Sequence, residues 1–405
     1  MLEVVSKTTG YKPMTEHSEG NNYEDCSCPY FDAGTCQSCS LLRIRPGGRI
    51  PSKEKSVGVY LQTLIEPTTI QPLIYSADPW ESRYKIKMAV SGTITNPTIG
   101  IIRKDLSTAD LCDCPLTPQP IRKLLGHLRA TIATHKLPPY DVAARTGELK
   151  HIIVMANTGT TEAILRFVLR SSEAVPRIRK AIGEIQHLFP WVSVVSCNIQ
   201  PLPAAILEGE EEVVLTEVTH MKQHFGEIPL YFAPQSFMQV TPTVAAQLYT
   251  AVATYVAQHR FSSALDLFCG VGGFSLHIAP HVDTVTGVEL SAAAIDSAQR
   301  SAHEASIHNA TFVVADVEAF LASRSDLRPD LVVVNPPRRG LSDAIRQHLF
   351  QMAPRVILYS SCNPETFARD VRALAGSYQL QRVQPFDMFP MTDHCEVLGV
   401  LNRLG

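Results

Sequence analysis

From about Gln223 onward the chain alternates short apolar runs with helix-length stretches, and that rhythm leaves few folds open. The runs are Ala264-Leu265-Asp266-Leu267-Phe268, Thr284-Val285-Thr286-Gly287-Val288-Glu289, Thr311-Phe312-Val313-Val314, Leu331-Val332-Val333-Val334 and Val356-Ile357-Leu358-Tyr359. Alanine-rich Val244 to Ala257 and the stretch Ser291 to Ala305 read as helices around them. Short strands that are mostly apolar and separated by helices are buried on both faces. That predicts an α/β fold with a mostly parallel, doubly wound sheet. Two further runs, Leu380 to Val383 and Glu396 to Leu401, supply the last strands.

In an open sheet of this kind, ligands bind outside the carboxyl ends of the strands. The residues that end the runs are therefore the candidates for function. The first run leads into Cys269-Gly270-Val271-Gly272-Gly273-Phe274, where glycines let the backbone turn sharply and approach a ligand at a helix N-terminus. Glu289 ends the second run, a place where an acid binds ribose hydroxyls. The spacing is not Gly-x-Gly-x-x-Gly, so NAD is disfavoured. Asp266 to Phe274 suits a nucleoside without a pyrophosphate, such as S-adenosylmethionine. Asp316, after the third run, is either a helix cap or an adenine-side contact. The plain alternatives are an ordinary tight turn for the glycines and a surface carboxylate for Glu289.

The fourth and fifth runs end in Asn335-Pro336-Pro337-Arg338-Arg339-Gly340 and Ser360-Ser361-Cys362-Asn363-Pro364. A cysteine at a strand end is a soft nucleophile that needs no metal, so Cys362 points to covalent catalysis on a bound electrophile. Most free cysteines are instead small buried apolar residues. Cys269, beside the glycine loop, reads as one of those.

A chain of 405 residues suits two or three domains, and 45% apolar with 19% charged residues is globular. No apolar run approaches the roughly 18 residues of a membrane span. The polar start, with Glu16, Glu19, Glu24 and Asp25, lacks the layout of a secretory signal. The expected location is the cytoplasm. A net charge of -3 announces no nucleic-acid binder, although Arg43, Arg45, Arg49, Arg83, Lys85 and Lys87 offer a local basic face. The reading divides the chain into a flexible tail (1–25), a cysteine-rich segment (26–78), a central α+β domain (79–215) and the sheet domain (216–405). Strand-like Tyr84 to Val90, Ile152 to Met155, Leu165 to Leu169 and Val192 to Val195, with helical Val175 to Phe189, carry the central domain.

Ten cysteines in a long cytosolic chain argue against a disulfide scaffold. Cys26, Cys28, Cys36 and Cys39 cluster, and Cys112 and Cys114 form a second group. Four thiolates from these groups suit either zinc or an iron–sulfur cluster, and spacing leaves both open.

With these motifs in order, the chain resembles the iron–sulfur RNA (uracil-C5)-methyltransferases, within them the branch that acts on 23S rRNA. The resemblance covers nearly everything after Cys28. It includes Leu111-Cys112-Asp113-Cys114-Pro115, Gly147-Glu148-Leu149-Lys150, Asn198-Ile199-Gln200-Pro201, Pro234-Gln235-Ser236-Phe237-Met238-Gln239 and Phe386-Asp387-Met388-Phe389-Pro390, besides the strand ends. It implies cofactor contacts from Gln239, Phe268, Glu289 and Asn335, beside the Gly273 and Asp316 candidates read from the strand ends, with S-adenosylmethionine as methyl donor. Cys362 would be the nucleophile and Glu396 the base. Cys28, Cys36, Cys39 and Cys114 would hold a [4Fe-4S] cluster. The substrate would be an unstacked uridine of 23S rRNA, or of tRNA on the same scaffold, with no protein partner required. A non-catalytic iron–sulfur RNA-binding protein is the reading of a different class. Two departures stand out: Asn335 replaces the acid of other branches, and Cys395 precedes the expected base. Asn335-Pro336-Pro337 is also similar to adenine N6-methyltransferases, but those place an aromatic where Arg338 stands and have no use for Cys362.

Overall fold

Two seven-stranded sheets, each grown from a different hydrophobic pattern, organise the chain. The computed structural model describes residues 27–66, 69–103, 107–202 and 208–405, so the expected 1–25 tail and Cys26 lie outside the described residues. Two helices come first, α1 (Pro29–Asp32) and α2 (Pro46–Leu61). The first sheet follows with β1 (Lys85–Gly92), β2 (Pro97–Ile102), β3 (Thr108–Asp110), helix α3 (Gln119–Thr134), β4 (Leu149–Ala156), β5 (Ala163–Leu169), helix α4 (Val175–Leu188), β6 (Val192–Ile199) and β7 (Glu211–Val214). Its order is β3-β2-β1-β4-β5-β6-β7, antiparallel except for β5 and β6, which α4 connects. Leu124, Leu125 and Leu128 of α3 and Ile178 and Ile185 of α4 bury one face of this sheet against Ile152, Val154, Leu165 and Phe167.

The hairpin β8 (Met221–Phe225) and β9 (Ile228–Phe232) and the helix α5 (Pro242–His259) lead into the second sheet. There the alternation expected from sequence is complete. It runs β10 (Phe261–Leu267), α6 (Gly273–Ile278), β11 (Val282–Glu289), α7 (Ala292–Glu304), β12 (Ala310–Val314), α8 (Val317–Ser323), β13 (Leu331–Val334), α9 (Asp343–Met352), β14 (Val356–Ser361), α10 (Pro364–Leu374), β15 (Tyr378–Phe386) and β16 (Glu396–Arg403). The order β12-β11-β10-β13-β14-β16-β15 reverses direction beside β10, which creates the crevice where ligands of such sheets bind. Strands β10 to β14 are parallel, and β16 inserts antiparallel between β14 and β15. Among the described residues no helix is long and apolar enough to cross a membrane.

The cysteine-rich segment does not stand apart. Val57 and Leu61 of α2, with Leu73, join the core under the second sheet, and Ile70 and Ile74 bridge to Val383 and Phe386 of its edge strand. Arg49, expected on a basic face, is buried and donates to the carbonyls of Leu41, Leu42 and Ile44. Lys87 is paired with Glu208.

Candidate active site

Cys362 follows the last residue of β14 and precedes Asn363, which caps α10 by accepting from the backbone of Glu365 and Thr366. The strand thus delivers the thiol to the sheet's carboxyl edge, half-buried. Burial raises its pKa, and the nearby Glu396 carboxylate pushes the same way. The Arg338 guanidinium opposes both, by charge and by a hydrogen bond to the sulfur. Arg338 belongs to the turn after β13, and its carbonyl accepts from Asn363 Nδ2 (3.3 Å) and Thr366 Oγ1 (3.1 Å). Two adjacent strand ends are thereby fastened together.

Glu396 opens β16, one step beyond the Ser361–Val397 pair that joins β16 to β14. It is 1% exposed. Its Oε1 accepts from Ser360 Oγ at 2.5 Å and from Asn335 Nδ2 at 3.2 Å. Burial pushes its pKa up to about 7, against the lowering effect of those two hydrogen bonds. A carboxyl group poised near neutrality suits proton transfer better than a surface acid does. Asn335 Nδ2 also donates to the Ser360 carbonyl at 3.0 Å, so one amide aligns both β14 and the acid.

The glycine loop lies across the reversal point. Gly270 and Gly272 have φ of +54° and +80°, which L side chains rarely adopt. The Glu289 carboxylate spans the loop and the next helix, accepting from Gly270 N at 3.2 Å and Ser291 N at 2.9 Å. Gly273 has a packing reason for its size: a Cβ there would come within 2.6 Å of the Tyr249 ring. Phe268 holds φ +63° without being glycine, a strained backbone of the kind found at functional sites. It shares an open cleft with Asp316, Pro337, Gly340 and Ile345. Asp316 does cap α8, its Oδ1 accepting from Ala319 N at 3.0 Å. Gln239 is buried between β9 and α5, and its neighbour Val240 accepts from Tyr84 N.

The structure therefore gathers Cys362, Glu396 and Asn335 at one strand edge, Gly270 with Glu289, and Phe268 with Asp316. Ser360 and Arg338 are residues that sequence reasoning passed over. Both flank singled-out residues, but their roles depend on partners distant in the chain. Phe237, two residues before Gln239, is 66% exposed, with Lys85 Nζ 5.7 Å from its ring centroid. Cys269 and Cys395 are buried packing residues, the latter with its thiol on the carbonyls of Phe386 and Glu396 and a pKa pushed up to about 12 by burial.

Cys28, Cys39 and Cys114 meet around one small core with Leu42, Leu116 and Met391, while Cys36 packs against the core of the first sheet, near enough to act on the Cys39 thiol. Burial, with a contribution from the other three thiols and against Arg83, raises Cys39 to about 11. Cys112 is turned elsewhere, its thiol on the Ile99 carbonyl at 3.8 Å. Among the described residues no group of three or more histidine, cysteine, aspartate or glutamate side chains is already arranged as a metal site.

Known proteins resemble most of the chain. A family profile described as tRNA (uracil-5-)-methyltransferase matches residues 217–404. The 23S rRNA (uracil(747)-C(5))-methyltransferase RlmC of Shewanella loihica is 41% identical over 93% of this chain and 99% of its own length. The protein of the same name from Yersinia pseudotuberculosis is 42% identical over 92% and 98%. The crystal structure of a Pyrococcus abyssi tRNA (uracil-54, C5)-methyltransferase with S-adenosyl-L-homocysteine superposes with a TM-score of 0.74 at 24% identity, covering 90% of this chain and 85% of that one; it supports the fold. Near full-length identity above 40% leaves no room for a different family: the chain belongs to the S-adenosylmethionine-dependent RNA (uracil-C5)-methyltransferases.

Proposed function

We propose that this chain forms 5-methyluridine at one site of 23S rRNA in the cytoplasm, using Cys362 as nucleophile and Glu396 as base. The observation that carries the assignment of roles is the pairing of a half-buried thiol under Arg338 with a buried carboxyl group held near pKa 7. C5 of uracil is a poor nucleophile on its own. The Cys362 thiolate adds to C6 and turns the ring into an enolate, with Arg338 balancing the charge at sulfur before attack. S-adenosylmethionine, when bound, would supply the methyl group from its sulfonium to the nucleophilic C5, and the S–CH3 bond would break to leave neutral S-adenosylhomocysteine. Glu396 then takes the C5 proton, the C6–S bond breaks, and Cys362 recovers its electron pair.

Gln239, Phe268, Gly273, Glu289, Asp316 and Asn335 would surround the methyl donor. Glu289 organises the glycine loop from below, and Phe268 with Asp316 lines the cleft on its adenine side. Asn335 commits its amide hydrogens to Ser360 and Glu396, which leaves its carbonyl oxygen for the cofactor. Phe237 offers an exposed ring for a uracil pulled from its stack.

Cys28, Cys36, Cys39 and Cys114 would hold a [4Fe-4S] cluster. Four sulfur donors, among which Cys39 and Cys114 are raised by burial and by their neighbouring thiols, fit a group that supplies positive charge. No electron transfer enters the reaction, so the cluster's work is structural. The domains divide at 79 and 216, although Val57, Leu61, Ile70, Leu73 and Ile74 of the cysteine-rich segment pack on the catalytic sheet.

RNA substituted with 5-fluorouridine tests the mechanism, because fluorine at C5 blocks proton removal and freezes the adduct. A stable protein–RNA species joined through Cys362 is expected, and its absence sinks the mechanism. Separate tRNA and rRNA pools test the substrate: methylation confined to tRNA would favour the tRNA reading that the family profile's description suggests.

A further inference from the structure

The nine-residue loop 387–395 joins β15 to β16, and its ends are set by the Phe386–Glu396 pair. This loop decides where the backbone of Glu396 begins. A residue of α2, more than three hundred positions away, closes its neck. Lys53 is 1% exposed at its side chain. Its ammonium donates to Asp387 Oδ1 at 2.5 Å, to the Phe389 carbonyl at 3.0 Å and to the His394 carbonyl at 3.1 Å. An ammonium has three N–H donors, and here all three are used, at the start, near the start and at the end of one loop. Asp387 is tied in turn, its Oδ1 accepting from Phe389 N at 3.2 Å and its own N–H donating to Ile74 O at 2.7 Å.

The cysteine segment grips the same loop from its other side. Leu41 N donates to Met391 O at 3.0 Å, and Ser40 Oγ donates to Asp393 Oδ2 at 2.7 Å. Met391, at φ +69°, packs into the small core of Cys28, Leu42 and Leu116. One turn before Lys53, Arg49 fastens residues 41 to 44. Consecutive turns of α2 therefore clamp the cysteine segment and the loop together.

We propose that Lys53 is a positioning residue for Glu396: by closing the neck of the 387–395 loop it fixes the acid against Ser360 and Asn335, and so sets the rate of proton removal rather than of thiol addition. The proposal rests on the reading of Glu396 as base. A buried lysine with three convergent acceptors is a costly way to hold a loop unless the loop's geometry matters, since an apolar contact would hold it without desolvating a charge.

The test compares two RNAs on the full-length enzyme carrying its cluster. With 5-fluorouridine RNA, adduct formation reads Cys362 addition and methyl transfer without any proton removal. With uridine RNA, turnover also needs the base. Lys53→Met is expected to form the fluorinated adduct within about threefold of the wild-type rate. On uridine RNA its turnover falls roughly tenfold or more, in line with the cost of an ångström-scale displacement, and a methylated protein–RNA adduct accumulates. Equal slowing on both RNAs, or unchanged turnover on uridine RNA, overturns the proposal. Should Lys53→Met not fold, Lys53→Met/Asp387→Asn removes the buried charge with its partner and must show the same split. Glu396→Gln is run alongside. If it turns over uridine RNA normally, the base reading fails and the proposal with it; if it traps adduct while Lys53→Met does not, only the role of Lys53 is lost.

Discussion

Cys362 and Cys39 carry the same side chain, and burial raises both while an arginine opposes, but their remaining neighbours differ. At the strand end a single thiol meets a guanidinium and stands beside a carboxyl group poised near neutrality. Around Cys39, burial and three further thiols push the thiol up to about 11, against one arginine. The first setting suits a thiolate that forms on demand beside a cation. The second holds thiolates badly until something positive arrives. Cys197, Cys269 and Cys395 make a third class, buried with raised pKa and no reactive partner. Number and neighbours, more than the residue itself, separate nucleophile, ligand and filler.

Cys362→Ala attacks the contrast at its strongest point. Methylation is expected to fall by at least about 10⁴-fold while S-adenosylhomocysteine still binds, and single-turnover assays with calorimetry check both. Glu396→Gln comes next, with a loss of roughly 10²- to 10⁴-fold and a methylated adduct visible on denaturing gels. It also removes one of the two causes that raise the Cys362 pKa, so alkylation of Cys362 at neutral pH should quicken. In the wild type, a base that ionises through about 7 makes the rate rise with pH across that range. Ser360→Ala deletes a hydrogen bond that lowers the Glu396 pKa, so this limb should move to higher pH; a limb that stays put argues against Glu396 as the titrating group.

The other side of the contrast gives a smaller effect on a different readout. If Cys28, Cys36, Cys39 and Cys114 hold the proposed cluster, Cys114→Ser should strip its iron, with loss of visible absorbance, and should cost more than about 3 kcal/mol of stability, a fraction of what a structural metal can contribute. Cys112→Ser, only two residues away, should keep its iron, because that thiol faces the Ile99 carbonyl. Iron retained in the first variant and lost in the second would reverse the ligand assignment.

The second sheet was legible because its strands are apolar runs of the right length between helices, and their last residues announce the ligand edge. Leu331–Val334 is found at the bounds the sequence suggests, and Glu396 opens the strand expected to begin there. Helix α2 was not legible. It contains Gly47, Gly48, Pro51 and Gly58, and two of its buried residues are Arg49 and Lys53, which read as surface in any periodicity. Their burial rests on carbonyls and a carboxylate brought from elsewhere, in the case of Lys53 from 334 residues away. Ser360 and Arg338 failed to register for a related reason: each sits beside a residue that was noticed, but what it does is decided by a partner from another strand. At Gly273 the sequence suggests close approach of a ligand and does not show that the ring of Tyr249 independently forbids a side chain there. Sequence pattern reports which residues end a strand; it does not report what stands opposite them.

Asp316 is where the finest distinction can be drawn, since a cap and a cofactor contact need not exclude each other. Its Oδ1 is engaged with Ala319 N, and the residue also borders the cleft with Phe268. Asp316→Ala should lose about 1 kcal/mol of stability through the cap. Asp316→Ser restores a capping oxygen on a shorter side chain, so thermal stability should return. If the second carboxylate oxygen accepts from the cofactor, S-adenosylhomocysteine should bind roughly fivefold more weakly to both variants, the equivalent of one modest hydrogen bond. Affinity unchanged in both would leave Asp316 with the cap alone and move the adenine-side contact to Phe268 and the backbone around it.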